Sequence, residues 1–287
     1  LNDLPGELDL LLAAIVLVGC AVFAGLPAYR GVGGIIALAA GLMLAALDQL
    51  RWQPWCYQYW LTILILLPLG SHKPNALRCM NLVRWISIAT YLWSGLHKCN
   101  HGFAQFYGNW IKEDFLMQAP AALRPLIESG YWIAGPLEIL IAIFFLIPAT
   151  RRIAVVMACA MHLAILLFLG PLFNGDNLVI LPWNTVMIAL AIVLFWNFKA
   201  GLGTPLTGKR ETVLAWTIGL LVFFMPMLSI IRAWPLYLSF HLYSGQEQRM
   251  QLVLTPAGTA KLDTYHQQQL LPSPVSDKLQ VIDYLSW

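Results

Sequence analysis

Residues 131–170 read YWIAGPLEILIAIFFLIPATRRIAVVMACAMHLAILLFLG, which is two apolar runs joined by a short stretch that contains two arginines. A bilayer core about 30 Å thick needs about 20 apolar residues in each helix that crosses it. Both runs are close to that length, so the stretch predicts a helical hairpin that crosses a membrane twice. The fold class predicted from it is an all-α integral membrane protein.

The composition of the whole chain agrees with this prediction. Of the 287 residues, 59% are hydrophobic and 11% are charged, and the mean hydropathy is +0.69. Soluble domains average about 45–50% apolar and about 25% charged residues. So few charges cannot cover a surface that faces water, which excludes a soluble enzyme, a disordered chain and a disulfide-stapled secreted domain. The net charge of +3 gives no indication of nucleic-acid binding.

About eight segments have the composition of transmembrane helices, and together they predict a polytopic domain over residues 1–231. They are residues 8–29, 31–48, 57–70, 79–98, 131–149, 152–170, 178–198 and 213–231. Residues 99–130 are too polar to cross and predict an amphipathic or re-entrant segment. Residues 232–287 contain alternating polar and apolar side chains, which predict a short β-rich extension.

The charges between the predicted helices indicate the orientation of the chain. If the eight helices are right, alternate loops share one side of the membrane, and one set of loops is mainly basic while the other is mainly acidic. The positive-inside rule places the basic set in the cytoplasm. Both termini and the extension are then extracytoplasmic, and we expect a bacterial cytoplasmic (inner) membrane. The chain begins at Leu1, which leaves open whether a segment is missing or was removed.

Three polar residues inside the predicted helices form a candidate site: Glu138, His162 and Asn184. At a rise of 1.5 Å per residue, all three lie roughly 9–12 Å below the outer interface. Ionisable groups at such depth are costly and usually mark functional sites. We expect His162 to be the partner of Glu138, in an ion pair or a neutral hydrogen bond. Hydrogen bonding between helices without a function is the alternative.

Lys98 ends the fourth predicted helix on the outer side, where the positive-inside bias disfavours a lysine that only solvates the helix end. A partly desolvated lysine at this position could serve as a base. Gly95, one turn earlier, allows close helix approach or access for a ligand. Trp183, beside Asn184, is predicted to be either a wall of the ligand site or ordinary core.

Other polar residues have structural interpretations. Arg84 is expected to snorkel toward the cytoplasmic interface. Asp48 and Arg51 are expected to form an ion pair at the turn between the second and third helices. A disulfide between Cys56 and Cys99 stays open as an alternative to free thiols. No metal site is predicted, and four histidines are expected in exposed loops: His72, His101, His241 and His266.

Residues 91–107 (YLWSGLHKCNHGFAQFY) resemble a segment of the vitamin K-dependent γ-carboxylase and its bacterial relatives, the horizontally transferred transmembrane (HTTM) family. The shared pattern is an aromatic residue, then a small residue and a glycine, then a lysine that precedes a loop rich in aromatics. The turn that runs Asp48-x-x-Arg51-x-x-Pro54-Trp55 and the pair Met161-His162 are similar to the same family. The resemblance lies within residues 45–235.

In that family the lysine deprotonates reduced vitamin K, so the resemblance implies that Lys98 is a catalytic base. From their position we expect Glu138 and His162 to act with it, and Asn184, Trp183 and Gly95 to bind the ligand. The γ-carboxylase has a large lumenal region for its peptide substrate, whereas only residues 232–287 follow the last predicted helix here. The expected ligand is therefore a quinone or another isoprenoid membrane lipid.

A second class of function stays open beside this one. The chain can instead be a non-catalytic structural subunit of a larger membrane protein complex, with residues 243–287 as a docking arm. In that case the polar residues within the helices only join one helix to another. Whether the protein is an enzyme is therefore not determined by the sequence.

Overall fold

A computed structural model describes residues 6–48, 51–67, 76–104, 116, 121–170, 178, 180–203, 209–241, 251–260, 271–272 and 280–283. The chain divides into two compact units, Leu1–Gly245 and Gln246–Trp287. The described part of the first unit is helical, and the described part of the second contains short strands and one turn of helix.

The helices of the first unit correspond to the segments expected from hydropathy. They are α1 Gly6–Gly25, α2 Arg30–Leu47, α3 Pro54–Leu66, α4 Ala76–Lys98, α5 Arg124–Glu128, α6 Gly130–Leu146, α7 Arg151–Leu169, α8 Ile180–Phe195, α9 Lys209–Gly219 and α10 Met225–Leu228. Each of the eight predicted segments overlaps at least one of these helices. The short α5 falls in the predicted amphipathic or re-entrant segment, of which residues 105–115 and 117–120 lie outside the described part.

Three helices among the described residues are long and apolar enough to cross a membrane: Glu7–Gly25, Pro27–Leu47 and Thr212–Ile231. The apolar helices α6 and α8 are shorter. Large apolar side chains such as Leu17 and Ile35 are exposed on the outside of α1 and α2, where a soluble protein would carry polar groups. These features fit an α-helical membrane protein, and the number of eight crossings remains a prediction.

Glycines hold α1 and α2 together as a tight hairpin. A Cβ atom on Gly19 would lie 2.9 Å from the carbonyl oxygen of Gly33, and one on Gly33 would lie 2.8 Å from that of Gly19. Small residues at such a crossing let two backbones approach closely, which is the usual way that helices associate in lipid.

Arg51 connects the end of this hairpin to the start of α3. Its Nε atom lies 3.4 Å from the carboxylate of Asp48, which confirms the predicted ion pair. A closer partner was not predicted: both carboxylate oxygens of Asp9 accept hydrogen bonds from the Arg51 guanidinium, at 3.2 and 2.7 Å. The Asp9 carboxylate raises the pKa of Arg51. The arginine therefore links α1 to the α2–α3 turn.

The core of the first unit is built around α4, which contacts α3, α6, α8 and α9. Helices α6 and α7 pack against each other, and so do α7 and α8. Apolar side chains fill the space between them, for example Phe145 and Phe195, whose rings stack with centroids 4.0 Å apart. This arrangement directs one long face of α4 toward α6, α7 and α8.

The prediction that Arg84 snorkels to the interface is wrong. Its side chain is buried, donates to the carbonyl oxygen of Leu194 at 2.7 Å and to the Asn81 side chain at 2.7 Å, and stacks on the ring of Phe198. Arg151 is also buried and donates to the carbonyl oxygens of residues 145, 198 and 200. The last carbonyls of a helix have no partner within it, so these two arginines satisfy the ends of α6 and α8.

The last long helical segment is interrupted before Pro226. Residues Leu220–Phe224 form a π-helix between α9 and α10. Proline has no N–H and clashes with the carbonyl four residues earlier, so a widened turn at this position relieves both problems. The carbonyl oxygen of Leu221 instead accepts a hydrogen bond from the hydroxyl group of Tyr57 at 3.3 Å.

The second unit contains a three-stranded antiparallel sheet in the order β1-β3-β2. The strands are β1 Gln251–Leu254, β2 Leu271–Pro272 and β3 Gln280–Asp283, and helix α11 Pro256–Thr259 follows β1. In the register, Leu252 pairs with Ile282. Much of this unit lies outside the described residues, so the β-rich character of the whole extension and its place on the outer face remain predictions.

Candidate intramembrane polar site

The site begins at a crossing of α4 and α6 where both helices have a glycine. A Cβ atom on Gly95 would lie 2.7 Å from the carbonyl oxygen of Gly135, and one on Gly135 would lie 2.9 Å from that of Gly95. No side chain larger than hydrogen fits between the two backbones. Gly95 therefore serves helix contact at this point, which is one of the two roles predicted for it.

The close crossing brings Lys98 against Glu138. The ammonium nitrogen of Lys98 donates to both carboxylate oxygens of Glu138, at 2.9 and 3.1 Å, and to the hydroxyl oxygen of Ser94 at 2.6 Å. Both charged side chains are more than nine-tenths buried. Such a pair is stable only because each charge neutralises the other and the remaining hydrogen-bond positions are filled.

A second set of hydrogen bonds joins α4, α7 and α8. The hydroxyl group of Tyr91 lies 2.8 Å from Nε2 of His162, and Nδ1 of the same ring lies 2.7 Å from Oδ1 of Asn184. The amide nitrogen of Asn184 donates to the carbonyl oxygen of Ile180 at 2.8 Å. All three side chains are buried, so the chain Tyr91–His162–Asn184 is a hydrogen-bonded row inside the helical bundle.

The two sets lie along one face of α4. Tyr91, Ser94 and Lys98 are spaced by three and four residues, which places them above one another on a helix. Glu138 is close enough to act electrostatically on both Tyr91 and His162. We call these six residues the polar site: Tyr91, Ser94, Lys98, Glu138, His162 and Asn184.

Four of the six were expected from the sequence, but one expected pairing is wrong. Glu138 is bonded to Lys98, and His162 is bonded to Tyr91 and Asn184. The reason is the glycine crossing, which brings α6 directly against α4. Tyr91 and Ser94 were not among the predicted site residues, although their helical spacing from Lys98 is a signal that could have identified them.

Trp183 is buried, and its described ring contact is with Tyr59 of α3, at 5.9 Å between centroids. Adjacent residues of a helix point about 100° apart, so Trp183 faces α3 while Asn184 faces His162. Of its two predicted roles, core packing is the one that this contact supports.

A histidine pair that was not expected lies near the polar site. His241 is buried, which corrects its predicted exposure, and its ring centroid lies 5.0 Å from that of His97. Phe240 adopts a positive φ of 57°, and this turn directs the chain back against α4. Nε2 of His97 lies 3.4 Å from the hydroxyl oxygen of Ser229. His101, in contrast, is exposed as predicted, although residues 101–104 are helical, and His72 and His266 lie outside the described residues.

The cysteines and the metal-binding residue types limit the chemistry that the site can carry out. All five cysteines are free thiols, so Cys56 and Cys99 do not form a disulfide. Within the described ranges, no group of three or more His, Cys, Asp or Glu side chains could hold a metal ion. The chemistry available from the polar site is therefore that of an amine, a carboxylate, an imidazole and a phenol held together away from water.

Comparison with known proteins identifies no relative: no family model, no curated protein and no solved structure matches the chain. The resemblance to the HTTM family therefore depends on the motifs around Asp48, Lys98 and His162 alone.

Proposed function

We propose that this chain is an HTTM- and γ-carboxylase-like membrane protein whose polar site binds and acts on a quinone-like isoprenoid lipid. The observation that supports this most is the burial of the Lys98–Glu138 ion pair beside the hydrogen-bonded row Tyr91–His162–Asn184. A buried ion pair adds little stability compared with apolar residues of the same size. Its presence among ionisable neighbours is better explained by a role in moving protons.

In this proposal Lys98 and Glu138 share a proton. Transfer of a proton from Lys98 to Glu138 across their 2.9 Å contact would leave an amine and a carboxylic acid, both neutral. The neutral amine of Lys98 is then a base for a hydroxyl proton of the ligand. The ligand is a lipid with an acidic hydroxyl group in its head group, which describes a reduced quinone.

The placement in the membrane belongs to the same proposal. We propose eight crossings, with both termini and residues 232–287 on the extracytoplasmic side of a bacterial inner membrane. Lys98 is the last residue of α4, and Glu138 is two turns from the start of α6, so the ion pair lies toward that side. A lipid head group could then reach the site from the outer leaflet.

The test is extraction of the gently purified protein with organic solvent, followed by mass spectrometry of the lipids. We expect a stoichiometric quinone or other isoprenoid from the wild type and its loss from His162→Ala and Lys98→Ala. His101→Ala, which changes an exposed histidine beyond the end of α4, should retain the lipid. Bulk phospholipid alone in every sample would overturn the proposal.

The alternative is a non-catalytic structural subunit of a membrane complex. One observation favours it: the ammonium of Lys98 already has Ser94 and Glu138 as partners inside the protein. As structural contacts, polar pairs between helices contribute about 0.6 kcal/mol each. Purification of the chain only within a stable complex, with function retained in Lys98→Ala and His162→Ala, would support this alternative.

A further inference from the structure

The orientation of the Asn184 side chain is fixed by its contact with Ile180. The backbone carbonyl of Ile180 can only accept a hydrogen bond, and it lies 2.8 Å from one end of the amide. That end must therefore be the NH₂ group, because an amide oxygen there would face another oxygen. The opposite end, which faces His162 at 2.7 Å, is the amide oxygen.

This orientation determines which nitrogen of His162 carries a proton. The Asn184 oxygen can only accept, so Nδ1 of His162 must donate, and the neutral ring is the Nδ1–H tautomer. Nε2 then presents a lone pair, and the hydroxyl group of Tyr91 donates to it across 2.8 Å. The row thus has a single direction, from the Tyr91 hydroxyl through the imidazole to the Asn184 oxygen.

The same row accommodates a protonated imidazole without losing a contact. With a proton on Nε2, the ring donates from both nitrogens, and the Tyr91 oxygen becomes the acceptor. A hydroxyl group can donate or accept, whereas the Asn184 oxygen keeps its role in both states. Both members of the ion pair act electrostatically on His162: the Glu138 carboxylate favours the added positive charge, and Lys98 opposes it.

From this geometry we infer that His162 is a proton acceptor of the polar site, which acts at Nε2 through the hydroxyl group of Tyr91 and is held in the required tautomer by Asn184. Asn184 is a positioning residue, since it acts only through His162. The inference rests on the proposed function for the ligand, and it adds the path through Tyr91 to His162 as a second acceptor of a hydroxyl proton beside Lys98.

The step transfers one proton along the row. The O–H bond of the ligand breaks and its proton bonds to the Tyr91 oxygen, while the O–H bond of Tyr91 breaks and an N–H bond forms at Nε2 of His162. The products are the oxyanion of the ligand and an imidazolium ion, so charge is conserved. The chemical class of the ligand is therefore a compound with an acidic hydroxyl group, such as a phenol or a hydroquinone.

The test is ¹⁵N nuclear magnetic resonance of the full chain in detergent, labelled only at histidine, because the two ring nitrogens give distinct signals when protonated and unprotonated. The His162 signals are identified by their loss in His162→Gln. In the wild type at neutral pH we expect a protonated Nδ1 and an unprotonated Nε2. A protonated Nε2 with an unprotonated Nδ1 would overturn the inference.

Variants of Asn184 separate positioning from a role in stability. Asn184→Leu should lose the single tautomer and give a mixture, whereas Asn184→Asp keeps an acceptor and should retain the proton on Nδ1. Asn81→Leu removes another buried asparagine, which bonds to Arg84 instead, and should leave the His162 signals unchanged. Retention of one pure Nδ1–H tautomer in Asn184→Leu would contradict the inference.

Tyr91→Phe supplies a second measurement if Asn184→Leu does not fold. It should leave Nδ1 protonated and shift the Nε2 signal, because the lone pair loses its hydrogen-bond donor. An unchanged Nε2 signal would count against the inference. None of these spectra needs a bound lipid, so a failure here and a failure to extract a quinone are separate results.

Discussion

Lys98 and Glu138 each lie three residues after a glycine, and the two glycines are the points where α4 and α6 touch. A Cβ atom on Gly95 would lie 2.9 Å from the backbone nitrogen of Ile139, and one on Gly135 would lie 3.4 Å from that of Cys99, so the two helices run antiparallel and both charged residues lie between the two glycines along the crossing. The ammonium and the carboxylate meet at 2.9 Å for that reason. The glycine crossing and the ion pair are thus one structural unit.

The first prediction concerns this crossing. In Gly95→Ala the new methyl group would lie 2.7 Å from the carbonyl oxygen of Gly135, so the two helices must separate. We expect a loss of about 1–3 kcal/mol in stability, as for other overpacked sites. The measurement is thermal unfolding in detergent. Gly219→Ala is the control, because its Cβ would meet nothing within 4 Å and its backbone is helical, so its stability should be unchanged or slightly higher.

The second prediction concerns the ion pair itself. Lys98→Met and Glu138→Leu each leave an unpaired charge in an apolar environment, and each should destabilise the protein by about 3–5 kcal/mol. The double variant removes both charges and should be less destabilised than either single variant. Unfolding of all four proteins gives the coupling energy between the two residues. If the destabilisation of the double variant equals the sum of the two single-variant effects, Lys98 and Glu138 do not interact, which would contradict the structure.

The third prediction uses Cys99, an exposed thiol that follows α4. Partial burial raises the pKa of Cys99, and the Glu138 carboxylate raises it further, while Lys98 lowers it. Only the thiolate reacts with alkylating reagents, so the thiol should react slowly at neutral pH and faster as the pH rises. Glu138→Gln lowers the pKa of Cys99 and should accelerate alkylation, by about threefold for each unit of pKa, because a less basic thiolate is more abundant but also less nucleophilic. Lys98→Met should slow it.

The alkylation rate of Cys99 is followed by mass spectrometry of its own peptide, since four other cysteines are present. Glu128→Gln is the control, because Glu128 is exposed and is not among the charges that act on Cys99. Equal rates in Glu138→Gln and Lys98→Met would show that the ion pair does not lie beside this thiol.

The fourth prediction concerns Arg151, which donates to the carbonyl oxygens of residues 145, 198 and 200. Arg151→Met leaves the buried carbonyl oxygen of Phe145 without this donor, at a cost of about 1–3 kcal/mol, while the part-buried carbonyl groups of residues 198 and 200 can turn to water. A fall in stability of about this size is expected, and Arg151→Lys should recover only part of it, since an ammonium group cannot reach all three carbonyl oxygens. Arg152→Lys is the matched control, because Arg152 is exposed and makes one long hydrogen bond of 3.4 Å.

Local patterns predicted the positions of the helices well. Each apolar segment of sufficient length contains a helix, because hydropathy and length act within one segment of chain. The pair of Asp48 and Arg51 was predicted for a similar reason: the two residues are three positions apart in one turn. For His162 and Asn184 the sequence predicted a common depth in the membrane, because depth follows from counting residues along each helix. It did not predict the hydrogen bond between them.

Contacts between helices were predicted less well. Glu138 was expected to bond His162 and instead bonds Lys98, because the partner depends on how each helix is rotated about its axis. Arg84 and His241 were expected near water and are buried. Arg84 turns inward because the end of α8 offers a free carbonyl group, and His241 is buried by a turn whose backbone angles hydropathy does not encode.

The sequence by itself therefore determined an α-helical membrane protein, the approximate limits of its helices and four of the six residues of its polar site. Those properties depend on the free energy of placing each segment in lipid, which is a sum over neighbouring residues. Only the tertiary structure decided that Lys98 pairs with Glu138 and that Tyr91 joins His162. That choice depends on the close contact of Gly95 with Gly135 and on the directions of side chains from different helices, which no single segment of the chain specifies.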